Sequence, residues 1–410
     1  MSSKEKILLF LLLGSFCGVE PQTKVVNHTK QWMTIIVHGT VMPYVSLFDV
    51  LKLKNKTLQP TMLTRINKLY RKNPFFYQSQ PIQGFGLQPI HFARAHHGNA
   101  AQAFGKTFHI LNKKCFPERK LNRYYTFGWS GLLNEKVRQD ASKQLYEELL
   151  KEIKKLRTFS DGPIHITLCG FSHGGNVCLE LPDHMDSKNP PFAIDDLILY
   201  GTPIQEESYN GMMSPTFKNI YNFYSLGDRI QKLDFITGRE TGRVFEAKSM
   251  SPEHQELPSN LKQIRLRFNR RKTTYRLGKE YAEKTKKRIY PGHIEMWFFG
   301  WTDKWYRPHF PLRPFPVAVF TPFILKTINE LGTTNTMTIE MAPKIGQTMV
   351  VSYDDKNNKT SKITNSMTNS DIHWLQKKVR AYSPQNFKRT YRTRFNNLIK
   401  KARKQLRLGK

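Results

Sequence analysis

Gly170-Phe171-Ser172-His173-Gly174-Gly175 sets a serine among glycines, directly after the apolar run Ile164–Cys169 and before a helix-compatible segment. A serine on a cramped turn between strand and helix leaves no room for side chains two residues to either side, and glycines meet that demand. Such a turn exposes the hydroxyl and aims the next backbone N–H, that of His173, at the place where an oxyanion would form. A serine hydroxyl is a weak nucleophile at its own pKa. It needs a base, and the base needs a carboxylate to orient it. Behind such a turn the expected order is acid, then histidine.

Downstream, Asp228 in Ser225-Leu226-Gly227-Asp228 is the best acid, because it directly follows a strand-like run; Asp234 is the fallback. His293 in Tyr290-Pro291-Gly292-His293 is the best histidine, because the Pro-Gly pair puts it on a turn. His254, His309 and His373 lack so tight a context. His173 points away from its neighbour on such a turn, and His38 reads as structural. Each residue also has a plainer reading: Ser172 as a turn serine, Asp228 as a helix cap, His293 as a turn former. The pair His96-His97 reads as solvated or packed. Neither metal-ligand spacing nor a cofactor motif is present, so none is expected.

The elements that must position these residues follow from periodicity. Trp32–Val37 is β-rich and ends in His38-Gly39-Thr40, and Arg123–Gly131 reads as a second strand. In Asn134–Arg157, Val137, Ala141, Leu145, Leu149 and Ile153 recur every four residues with charges between them, the pattern of an amphipathic helix. Asp196–Tyr200, Asn219–Ser225 and Ile264–Phe268 are further strands. Apolar strands alternating with helices predict a mostly parallel sheet covered on both faces, with functional residues just past the strand C-termini. Residues 41–120 are rich in Pro, Gln and aromatics, with a helix expected at Thr61–Arg71. Met337–Met341 and Thr348–Tyr353 read as a hairpin, and Phe387–Leu408 as a basic amphipathic helix.

At 410 residues the chain can bury one large core or two modest ones. Its formal charge of +33 favours acidic partners, either nucleic acid or an anionic membrane surface. Two blocks concentrate that charge: Leu261–Tyr290 holds twelve Lys/Arg against Glu280 and Glu283, and Asp371–Lys410 holds thirteen against Asp371. At the N-terminus Lys4 and Lys6 precede the apolar run Ile7–Leu13 and then small residues, which reads as an export signal over residues 1–23. The expected location is therefore periplasmic, secreted or membrane-associated. Cys17 would leave with that signal. Cys115, Cys169 and Cys178 are too few for a disulfide scaffold, and the last two read as small buried residues.

His38-Gly39 after the first strand, Phe127–Gly131 before a long helix, the Ser172 turn, Gly227-Asp228 and Gly292-His293 together resemble the α/β-hydrolase superfamily, closest in style to lipases and esterases. The resemblance covers about Trp32 to Gly332. It implies an α/β-hydrolase fold over residues 30–332, with residues 41–120 as an insertion or lid and residues 333–410 as a hairpin plus basic C-terminal extension. It implies Ser172 as nucleophile, His293 as general base, Asp228 as its orienting partner, and backbone N–H groups of His173 and of Thr40 or Val41 as the oxyanion hole. The chain departs from the family in lacking the usual first two strands, in the length of 41–120 and in the basic tail. The activity implied is hydrolysis of a lipid or other acyl ester through an acyl-enzyme, with the basic helix at an anionic membrane surface. Alternatives are a thioesterase or other acyl hydrolase on the same residues, or a non-catalytic basic protein binding nucleic acid or membrane. The nucleic-acid reading is disfavoured, because no recognisable binding motif is present.

Overall fold

The computed structural model describes residues 29–40, 71, 74–132, 134–186, 188–231, 242–247, 256–271, 286–301, 306–331, 335–341, 351–353, 360–362, 367–384 and 397. The export-signal expectation, Val41, Asp234, His254, the helix expected at Thr61–Arg71 (apart from Arg71) and the amphipathic helix at Phe387–Leu408 (apart from Asn397) lie outside these residues.

The strands are β1 (Gln31–Val37), β2 (Gly86–Pro89), β3 (Leu121–Gly128), β4 (Ile164–Phe171), β5 (Ile194–Tyr200), β6 (Phe217–Tyr224), β7 (Leu261–Arg271), β8 (Lys286–Ile289), β9 (Thr336–Met341), β10 (Val351–Tyr353) and β11 (Thr360–Lys362). All belong to one sheet in the order β11-β10-β9-β7-β6-β5-β4-β1-β3-β2, with β8 also paired to β7. From β3 to β9 the neighbours run parallel; β2, β8, β10 and β11 are antiparallel additions. The chain is α/β, as its alternating pattern predicts.

Helices cover both faces, so the central strands alternate between two cores. Met33, Ile35 and Val37 of β1, with Leu197 and Leu199 of β5, pack under the helices α2 (Glu135–Arg157) and α3 (His173–Leu179). Ile36, Ile198 and Tyr200 face the other way, toward α1 (Ala100–Cys115), α5 (His293–Trp297), α6 (Thr321–Leu331) and α7 (Asn369–Val379). The period of two along a strand imposes this division. The α2 stripe behaves as its spacing predicts: Ala141, Leu145, Leu149 and Ile153 are buried, and Asn134 caps the helix by accepting from the Val137 N–H.

Two segments extend the architecture beyond the sequence pattern. Inside the segment 41–120, α1 buries Ala100, Ala103, Phe104, Phe108 and Leu111, and β2 pairs with β3. Beyond Gly332, β9 pairs parallel with β7 as well as forming the expected hairpin with β10, while Ile372, Leu375 and Val379 of α7 join the α1 core. Residues on both sides of Gly332 thus share one sheet and one core. Cys169 and Cys178 are buried free thiols in opposite cores. No described helix is long and apolar enough to cross a membrane.

The strand register aligns the C-terminal ends. Val37 lies beside Gly170, Phe171 beside Tyr200, and Tyr200 beside Phe223. His38, Ser172, Gly201 and Ser225 therefore leave the sheet along one edge.

Beneath that edge a buried polar network braces α3. Arg138 of α2 pairs with Glu180 just after α3 and with Glu207 of α4 (Glu206–Met213), and its Nη1 donates to Gln205 Oε1 at 3.0 Å. Asn176 of α3 donates to Gln205 Oε1 (3.3 Å) and to Pro203 O (3.1 Å). Burial pushes the Glu180 carboxyl up from 4.5 to about 7, against the opposing pull of Arg138. A carboxyl whose folded pKa exceeds its unfolded value adds stability that is fully present below the unfolded pKa and is lost as pH rises through the folded one. The melting temperature of wild type minus that of Glu180→Gln should therefore fall between about pH 5 and 8; a difference constant across that range contradicts this assignment.

Candidate functional site

Ser172 sits between β4 and α3 with φ 52° and ψ −134°, alone among the described non-glycine residues in having positive φ. An L-residue adopts that backbone only where the surroundings over-determine it. Here they do. A Cβ on Gly170 would lie 2.6 Å from Gly175 Cα, one on Gly174 would lie 2.3 Å from His38 O, and one on Gly175 would lie 2.0 Å from Thr202 Oγ1. The glycines let the start of α3 press onto β4 and the neighbouring strand ends. Ser172 N–H donates to Tyr200 O at 2.9 Å, anchoring the turn to β5. The Ser172 side chain makes no capping hydrogen bond to α3.

Asp228 and His293 come together as their order in the sequence predicts. His293 Nδ1 lies 2.7 Å from Asp228 Oδ2. The carboxylate is fully buried, and its Oδ1 accepts from the N–H groups of Ile230 (3.0 Å) and Gln231 (3.4 Å). A carboxylate can only accept, so Nδ1 is the donor in this pair, and in the neutral imidazole that leaves Nε2 as the proton acceptor. The imidazole packs on Phe171 with ring centroids 4.4 Å apart, and Phe171 stacks on Trp297 at 5.0 Å. A Cβ on Gly201, which follows the Tyr200 that anchors Ser172, would lie 2.9 Å from Asp228 Oδ2 and 3.2 Å from His293 Nδ1. The serine turn and the Asp–His pair thus meet at the ends of β4 and β5 through Phe171, which packs on His293, while among the described residues no hydrogen bond joins Ser172 Oγ to the imidazole.

Their turns are locked to each other by residues that sequence reasoning missed. Ser225 Oγ donates to Pro291 O at 2.6 Å, and a Cβ on Gly227 would lie 2.6 Å from Tyr290 O. Glu295 accepts from Gly292 N–H at 2.7 Å and is held by Arg307. The spacing Gly292-His293-Ile294-Glu295 carries a readable signal for that role, since an acid three residues past a helix cap closes the first turn. Arg243 donates to the Asp228 carbonyl, and Gln231 Nε2 to Thr202 O at 2.9 Å; neither has a sequence signal.

Of the expected oxyanion donors, His173 opens α3, where helix N–H groups lack intrahelical acceptors. Thr40 lies two residues past His38, on a turn pressed against the serine. A Cβ on Gly39 would lie 2.7 Å from both Phe171 O and Ser172 Cβ. Val41 is outside the described residues. His38 is buried and packed on Trp129. His96, His97, His309 and His373 are exposed, and among the described residues no three His, Cys, Asp or Glu side chains group as metal ligands.

The Gly174 cradle generates a stability test with its own control. Gly174→Ala drives a methyl into the backbone of Val37 and His38 and should cost about 2–3 kcal/mol, near the upper end for overpacking. Gly84→Ala, whose Cβ meets nothing closer than 3.7 Å, should leave stability nearly unchanged. Urea melts of the two variants decide it, and equal midpoints contradict the cradle. Comparison of the chain with protein-family models, with curated proteins and with solved structures finds no match in any of the three.

Proposed function

We propose that the protein is a serine hydrolase of the α/β-hydrolase type that cleaves an acyl ester through an acyl-enzyme, with lipids as the leading substrate class. The observation that carries the reading is the convergence on one sheet edge of a serine at φ 52° with a histidine whose Nδ1 is 2.7 Å from a buried aspartate. In this reading Ser172 Oγ attacks the ester carbonyl while His293 Nε2 takes its proton. Asp228 holds the imidazole in the required tautomer and stabilises the imidazolium as it forms. The carbonyl oxygen becomes an oxyanion facing the N–H groups of His173 and Thr40, and its collapse expels the alcohol, which takes the proton back from His293. Water then attacks the acyl-Ser172 ester by the same steps and releases the carboxylic acid. The order serine, aspartate, histidine along the chain and the strand–turn–helix setting of Ser172 support the α/β-hydrolase assignment over other serine-hydrolase folds.

Thioesters fit the same chemistry, because the turn sets acyl transfer and leaves the leaving group open. A p-nitrophenyl ester series of increasing acyl length, run beside matching thioesters, ranks them. Ser172→Ala and His293→Ala should each lower kcat by roughly 10⁵–10⁶-fold and Asp228→Asn by about 10⁴-fold. Hydrolysis that persists in Ser172→Ala would sink the proposal.

A further inference from the structure

His38 is fully buried beside the serine turn, and its two ring nitrogens have different partners. Nδ1 lies 2.7 Å from Gly39 O, while Nε2 lies 3.1 Å from Trp129 N and 3.5 Å from Arg71 Nη2. A backbone amide and a guanidinium can only donate, so Nε2 is the acceptor and the ring proton sits on Nδ1, donated to the Gly39 carbonyl. Burial, reinforced by the Arg71 charge, pulls the imidazole down to about 3, so it stays neutral. The arrangement is closed by Trp129 Nε1, which donates to His38 O at 2.7 Å, and by Arg71, which donates to Trp129 O. Arg71 also stacks 3.9 Å from the Phe85 ring centroid and donates to Gln83 O.

This clamp grips one peptide unit next to Ser172. The Gly39–Thr40 peptide is planar and trans, so its C=O and N–H point in opposite directions. Fixing the Gly39 carbonyl on His38 therefore fixes the direction of the Thr40 N–H. Gly39 is itself pressed against Phe171 and Ser172, so the peptide cannot drift from the serine. We propose that His38, held as its Nδ1–H tautomer by Trp129 and Arg71, is a positioning residue that orients the Thr40 N–H as an oxyanion donor. The proposal rests on the serine-hydrolase reading and extends it. Because Arg71 belongs to the segment 41–120, it ties that segment to the oxyanion turn.

The test joins histidine ¹⁵N NMR to kinetics on the full chain. The signal lost in His38→Asn identifies His38; it should show a neutral Nδ1–H ring unchanged from pH 5 to 9. A ring that titrates in that range, or an Nε2–H tautomer, overturns the proposal whatever the activity. On p-nitrophenyl butyrate, His38→Leu should lower kcat by roughly 30–300-fold with KM within about twofold, approaching the loss of one oxyanion donor. His38→Asn, whose amide can replace the Nδ1 donor, should recover at least about tenfold of that loss. Arg71→Met should lose about tenfold, again in kcat, and supplies the comparison should His38→Leu not fold. Equal kcat in the Leu and Asn variants, or losses confined to KM, overturns the positioning role. A wild type with no Ser172-dependent turnover removes the hydrolase reading, and the positioning role with it, even where the tautomer is as described.

Discussion

The backbone of Ser172 at positive φ is the constraint on which the rest of this site depends. A conformation of that kind costs of order 1–3 kcal/mol and survives only where neighbours leave the chain no alternative. Gly170, Gly174 and Gly175 create that condition by letting α3 close onto β4, onto the end of β1 and onto Thr202. Arg138, Gln205 and Asn176 hold α3 from the other side through a buried polar network. The serine is presented because everything around it is packed too closely for the turn to relax.

The same edge brings in the other groups by backbone contact more than by side-chain reach. The aspartate and histidine turns touch through Gly227 and Ser225, and the histidine turn is capped by Glu295. Asp228 is fully buried, yet both its oxygens accept hydrogen bonds, so burial orients the carboxylate without leaving it unsatisfied. A parallel sheet suits this arrangement, since its crossovers return each strand in the same direction and collect the loops from several strand ends at one edge.

Much of this was legible in the residues alone. Short β-rich apolar runs marked β1, β4, β5 and β6, period-four spacing marked α2, and glycine spacing marked the serine turn. The pairing of Asp228 with His293 followed from chain order and turn chemistry. Helix α1 was not read from the sequence, where Gly105 and the polar Gln102, Thr107 and Asn112, all buried, interrupt its apolar residues. The place of β9 beside β7 is a long-range pairing that local pattern cannot carry. Nor did the charge pattern separate surface from core: Arg267 of the first basic block is buried against Glu340, and Arg138 against Glu180. Part of the positive charge therefore serves the fold. Arg71 and Arg243 act on the backbone of the site from segments remote in sequence, which no spacing rule anticipates.

An activated nucleophile at Ser172, as the proposed hydrolase requires, is open to covalent capture. Incubation of the full chain with a fluorophosphonate, followed by peptide mass spectrometry, should place a single phosphonyl adduct on the peptide carrying Ser172, and the adduct should vanish in Ser172→Ala. An adduct on another residue, equal labelling of the variant, or no labelling of the wild type would contradict the account.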